Sequence, residues 1–172
     1  AIQTIISRTT SPNESAVLSI TKVHAGDAYN VIPESAVLSG TVRTFTIEKM
    51  REIERQMISI SEGISKAHGG SAHVEFNTLF LPVLNEEGAT DLATEVCGDI
   101  VGQDNVITTG SAGTGSEDFS FMSNEVPGCY VIIGNGEDSN ALHNPNFDFN
   151  DETLVYGGSF FARVTEKELA LD

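Results

Sequence analysis

Four histidines and two cysteines are the side chains of this chain best suited to metal or nucleophilic chemistry, and their settings differ. His68 falls at a helix end and His73 on the wet face of a predicted strand, where surface roles are the rule. His24 closes another predicted strand. His143 follows the unbroken apolar run Cys129–Ile133, in the kind of loop where α/β sheets carry their functional groups. A lone loop histidine is nevertheless more often structural than ligating. Cys97 and Cys129 form no CxxC pair and lie in apolar-periodic segments, which predicts two buried free thiols in a reducing compartment and hence the cytoplasm, a disulfide being the alternative. The glycine-rich stretch Gly110–Gly115 has neither GxGxxG nor GxxxxGK[ST] spacing and no nearby lysine, which excludes a phosphate loop. No GxSxG elbow is present for a serine hydrolase. Asn30 before a turn and Arg43 on a strand face are modest signals alone, since such residues usually serve the turn or pair with an acid.

These residues need elements to hold them. Ile2, Ile5 and Ile6 have helical spacing with Arg8 at the end of the turn, and Thr9–Ser15 reads as a loop. Ala16–His24, rich in β-branched residues, predicts a strand. Val37–Phe45 predicts a second, with Ser39, Thr41 and Arg43 on one face and Leu38, Gly40 and Val42 on the other. The clearest helix runs from Ile47 to Ala67. Its stripe is Met50, Ile53, Met57, Ile60 and Ile64, with Glu48 in the first turn and Gly69-Gly70 past the end. Val74, Phe76 and Phe80 alternate with polar residues and predict a third strand. The order matches a split β-α-β-β-α-β sandwich without its first strand, over residues 1–84.

From Asn85 the pattern changes. Asn85 is placed to cap a helix whose stripe is Ala89, Leu92, Val96 and Ile100. Cys129–Ile133 reads as a strand covered on both faces in a parallel sheet. Asn150 is placed to cap a last helix with Leu154, Phe161 and Val164 as core positions. The fold class is therefore α/β, in two pieces: residues 1–84 and residues 85–172.

Composition narrows the partners. The 172 residues carry 9 Lys+Arg against 25 Asp+Glu, a net charge of −16, with 40% hydrophobic residues. This is a globular composition whose acidity argues against nucleic acid and anionic membranes as partners. Residues 1–66 hold seven basic and seven acidic side chains, whereas residues 67–162 hold fifteen acids and no Lys or Arg. That shift predicts a module boundary after residue 66. The acidic half reads as solvated surface, since a calcium-binding face would need an Asp-x-Asp-x-Asp-Gly loop and none is present.

Three ordered blocks carry a resemblance. The first is Val23-His24-Ala25-Gly26-Asp27-Ala28-Tyr29-Asn30-Val31-Ile32-Pro33 with Gly40-Thr41-Val42-Arg43-Thr44-Phe45. The second is Ser116-Glu117-Asp118-Phe119-Ser120 with Val126-Pro127-Gly128, and the third Leu142-His143-Asn144-Pro145-Asn146-Phe147-Asp148-Phe149. Together they resemble the dinuclear-metal amidohydrolase family of aminoacylases and carboxypeptidases, in its hippurate hydrolase and indole-acetyl-amino-acid hydrolase branch. The match covers essentially the whole chain but only the C-terminal portion of such an enzyme.

The resemblance implies that residues 1–84 are a lid that mediates homodimerisation and that 85–172 end the catalytic domain. It implies a substrate of N-acyl amino acid or small-peptide type. Asn30 and Arg43 would bind its carbonyl or carboxylate, and Arg suits that role because its fork matches a carboxylate. His143 would be a metal ligand for zinc or manganese, in a dinuclear centre. Glu117 would line the pocket, the acids of its block otherwise capping a short helix. The remaining ligands and the general base have no counterpart here, so the chain reads as a fragment incomplete as a catalyst. The rival expectation is a non-catalytic binding or dimerisation module on the same sandwich.

Overall fold

A computed structural model describes residues 1–110, 113 and 115–169. The chain separates into two compact units, the first built chiefly from Ala1–Pro82 and the second from Val83 onward, the short segment ending at Glu117 going with the first. Among the described residues no helix is long and apolar enough to cross a membrane. Ser111, Ala112 and Thr114 of the glycine-rich stretch lie outside the described residues.

The first unit is a hairpin backed by a helix. Strands β1 (Ala16–Ala25) and β2 (Ala36–Thr44) pair antiparallel from Ala16↔Thr44 to Ala25↔Ala36. Register slips at a bulge between Ile20 and Lys22, where Thr21 is the extra residue. Gly40, paired with Ile20, sits so close to β1 that a Cβ would run into the Ser19 carbonyl oxygen. Only a residue without a side chain fits there.

Helix α1 (Ile47–Ala67) begins where Thr46 accepts a hydrogen bond from the Lys49 amide at 3.2 Å, and it ends at the left-handed Gly69 (φ 78°). Its inner face packs Ile53 against Ile5 and Leu18, with Ile2, Ile6, Val42, Met57 and Ile60 around them. The predicted stripe holds as far as Ile60, and Ile64 is exposed. The isoleucines at the start form a π-helical turn, Ile5–Thr9, that plugs this core. Lys49 is buried between Glu14 and Glu52, 2.6 Å from each, and ties the loop before β1 to the helix.

The third strand does not form. Residues 71–86 belong to no strand or helix, although burial alternates over the first part, with Val74 and Phe76 half-buried and His73, Glu75 and Asn77 exposed, whereas Phe80 is exposed. Alternation decides which face turns inward; a strand also needs a neighbouring backbone to close its ladder. Among the described residues the sheet therefore has two strands.

The second unit is built on α2 (Glu87–Val101), α3 (Phe119–Glu125) and α4 (Thr153–Glu168). Lys167 of α4 reaches Glu95 (2.6 Å) and Asp99 (3.1 Å) of α2, and both acids raise its pKa. Val96 and Ala93 are buried. Two expectations are corrected at the helix starts. Glu86, not Asn85, caps α2, by accepting from the Ala89 amide at 2.7 Å. Asn85 instead clamps Tyr130, accepting from its amide (2.8 Å) and donating to its carbonyl (3.1 Å). Asn150 lies ahead of α4, where it accepts from the Glu152 amide at 3.0 Å.

Two further expectations fail on burial. Cys129–Ile133 is no strand, and Ile132 is 83% exposed; no strand flanks it on either side among the described residues. Leu154 and Phe161 of α4 are exposed rather than core, while Val164 is half-buried, because α4 meets α2 along its charged rim and Ile133 at Gly157. Cys97 and Cys129 are free and half-buried, and burial, then Cys129 nearby, pushes the Cys97 thiol up.

The tight fit at Gly40 sets one expectation. Gly40→Ala should force the hairpin apart at the bulge, lowering the melting temperature well beyond the effect of a neutral surface change such as Ser39→Ala. Equal melting of the two variants would mean the strands are not that close. The cap of α2 sets another. The amides of Ala89 and Gly88 hold the Glu86 carboxyl below the usual glutamate range. A carboxylate lowered by folding stabilises above its ordinary pKa, about 4.3, and that contribution is lost as pH falls through the lower folded value. Glu86→Gln should therefore show a smaller drop in melting temperature between about pH 6 and about pH 3 than the unaltered chain.

Candidate functional site

The loop from Gly134 to Asn150 of the second unit is crossed by a set of hydrogen bonds. Its residues 136–149 include none that is fully buried, Phe147 being its one half-buried apolar side chain. Asn135 donates to the Ser139 hydroxyl (2.7 Å) and the Asp148 carbonyl (2.8 Å) and accepts from the Asn150 amide (2.8 Å). Asn140 donates to the Asn146 carbonyl at 3.0 Å, and Asn144 accepts from the Asn146 amide at 2.9 Å.

Two tight turns follow one another at the tip. The Asn144 amide donates to the Ala141 carbonyl (3.1 Å) and the Phe147 amide to the Asn144 carbonyl (2.9 Å), with Pro145 at the favoured second position of the latter. His143 is third in the first turn, with φ of 68°. Among the described residues it is the one non-glycine with a positive φ. That conformation costs a side-chain-bearing residue roughly 1–2 kcal/mol, and such strain gathers where a side chain must be aimed. The imidazole is exposed. The loop also walls an open basin of about 470 Å³, lined by Asn135, Glu137, Asp138, Asn140, Asp148 and Asp151 among others, with His143 outside its lining.

The other predicted site residues lie elsewhere in the chain. Asn30 is exposed in the loop joining β1 to β2, next to the fully exposed Tyr29 and Ile32. Arg43 is exposed near the far end of β2, opposite Val17, and donates to the Thr41 hydroxyl at 3.1 Å. Seven strand residues separate Arg43 from the start of β2, on the order of 20 Å. Asn30 and Arg43 of one chain are thus not brought together. Glu117 is half-buried in the segment before α3, and Asp118 stands at the N-cap of that helix without a side-chain capping bond.

The donor set does not by itself make a metal centre: among the described residues no three His, Cys, Asp or Glu side chains converge on one point. His143 is a single imidazole. Asn135 was not among the residues the sequence singled out. Its partners lie four to fifteen residues away and are mostly backbone atoms, which leave no mark in residue type.

The turn at His143 makes a comparison of two variants informative. His143→Gly removes the steric conflict and His143→Ala keeps it, so the glycine variant should be the more stable by about 1 kcal/mol in thermal denaturation. Indistinguishable melting would show that the loop does not hold the left-handed turn.

Comparison with known proteins agrees across the chain. The model of peptidase family M20/M25/M40 matches residues 2–167. The chain is 32% identical over 169 residues to an N-acetyl-L-cysteine deacetylase of Bacillus subtilis, covering 98% of this chain and 39% of that protein. It is likewise 32% identical over 169 residues to a hippurate hydrolase of Campylobacter jejuni, covering 98% and 44%. A solved dinuclear metal binding peptidase of the M20 family from Bacillus subtilis superposes with a TM-score of 0.78 at 31% identity, over 90% of this chain and 42% of that one. The mixed α/β fold is thus shared, and the chain spans about two fifths of the length of these relatives. A match over nearly every residue leaves one assignment: the chain belongs to peptidase family M20/M25/M40.

Proposed function

We propose that this chain is the C-terminal part of a metal-dependent amidohydrolase that cleaves the amide of an N-acyl amino acid or small peptide. The observation that carries the reading is the family match over residues 2–167, which includes His143, the one non-glycine among the described residues with a left-handed backbone. In this reading residues 1–84 are the lid and dimerisation domain of a cytoplasmic homodimer, and residues 85–172 complete the catalytic domain. A catalytic metal site needs at least three protein ligands, so the other ligands and the general base come from polypeptide outside this chain. Alone, the chain is an incomplete catalyst.

A dinuclear centre of zinc or manganese would polarise the scissile carbonyl and acidify a bound water. This chain's own residues bind and orient. His143 offers a neutral imidazole whose direction is set by the turn. Arg43, steadied by Thr41, offers a planar fork for the substrate carboxylate. Asn30 donates its side-chain amide to the substrate carbonyl, and Glu117 lines the pocket. Since Asn30 and Arg43 stand at opposite ends of the hairpin, one small substrate meets both only when two copies of the chain contribute, which is why the homodimer belongs to this reading.

One observation favours the second reading, a non-catalytic binding or dimerisation module: three metal donors do not converge among the described residues. Kinetics on the complete hydrolase separate the two. Arg43→Ala should raise KM roughly 10- to 100-fold for substrates with a free carboxylate and much less for their amides, the range expected for charge-assisted hydrogen bonds. Equal effects on both substrates would remove Arg43 from carboxylate binding. A complete protein that hydrolyses neither with zinc or manganese present would favour the binding module.

A further inference from the structure

We propose that Asn135 is a positioning residue for His143, an inference that rests on the reading of His143 as a metal ligand. An asparagine side chain has two donor hydrogens and one acceptor oxygen, and Asn135 engages all three: Ser139, the Asp148 carbonyl and the Asn150 amide. These bonds cross the base of the loop, joining residue 135 to residues 148 and 150 on its far side. His143 sits at the tip of what they close. Between residues 136 and 149 no residue is fully buried and Phe147 is the one half-buried apolar side chain, so little packing stands in for these bonds. A backbone in the left-handed region relaxes when its surroundings loosen. Losing the clamp at Asn135 would therefore let His143 leave φ near 68°, and the imidazole would turn away from where it was aimed.

The role differs from ligation, since Asn135 need touch no metal. It also differs from general stability, because the loop contributes no residue to the apolar core. Removing such an outer support should weaken metal binding about 10- to 100-fold.

The test uses the complete metal-loaded hydrolase and reads zinc affinity by competition with a chelator, alongside melting temperature. Amide hydrogen exchange at Asn144, Asn146 and Phe147 is followed in the metal-free protein. Asn135→Ala should weaken zinc binding and speed exchange at those amides, with the melting temperature nearly unchanged. In a His143→Ala background the same substitution should cause no further loss of zinc affinity. A further loss in that background, or unchanged affinity in Asn135→Ala while His143→Ala weakens binding, overturns the proposal and leaves the ligand reading standing. Unchanged zinc affinity in His143→Ala overturns the ligand reading itself. If Asn135→Ala does not fold, Asn135→Asp, which keeps the acceptor for Asn150 and loses both donors, carries the same comparisons.

Discussion

A loop with little apolar packing can keep a strained residue only if its backbone is tied down by hydrogen bonds. The second unit is organised around that requirement. Helix α4 is held to α2 through Lys167, and Asn150, just ahead of α4, accepts from the Glu152 amide. The Asn150 amide in turn donates to Asn135, which spans the loop base. From there the Asn140 and Asn144 bonds carry order to the turn at His143. Each step fixes a direction for the next, and the left-handed backbone of one histidine stands at the end of the series.

The first unit solves the opposite problem, presenting side chains from a rigid strand. Its core of Ile5, Leu18 and Ile53 clamps the hairpin at one end, near Ala16 and Val42, and Arg43 lies beside that clamped end. Asn30 lies at the free end, beyond the bulge, among exposed apolar residues. The bulge interrupts the ladder between these two ends. An arginine held by packing and an asparagine on a projecting loop are suited to different duties, one setting a fixed charge and the other reaching out.

How much of this the sequence reveals depends on how local the cause is. Helix α1 is legible to its boundaries because Thr46, the apolar stripe and Gly69 are neighbours of what they control. The hairpin is legible to within a residue at each end for the same reason. The segment around Val74 and Phe76 shows its burial alternation and not its failure to pair, because pairing is decided by backbone elsewhere. Asn85 and Glu86 are both capable caps, and what separates them is Tyr130, forty-five residues away, which takes Asn85 for itself. Leu154 and Phe161 have helical spacing but lie away from α2. His143 and Arg43 emerge from motif resemblance, while the turn strain and the Asn135 clamp depend on bonds that residue type does not encode.

The partition of charge gives the two halves complementary abilities. Residues 67–162 contain no Lys or Arg, so the surroundings of His143 favour a cation and repel a free carboxylate. Any carboxylate ligand must be met by a basic group from residues 1–66 or from α4. Many of these are committed: Lys49 to Glu14 and Glu52, Arg51 to Glu54, Arg163 to Glu166 and Lys167 to Glu95. The Arg43 guanidinium rests instead on the neutral hydroxyl of Thr41, which orients it without cancelling its charge. An arginine aimed but not neutralised is what anion recognition requires, whereas one already paired would have to break a bond to bind.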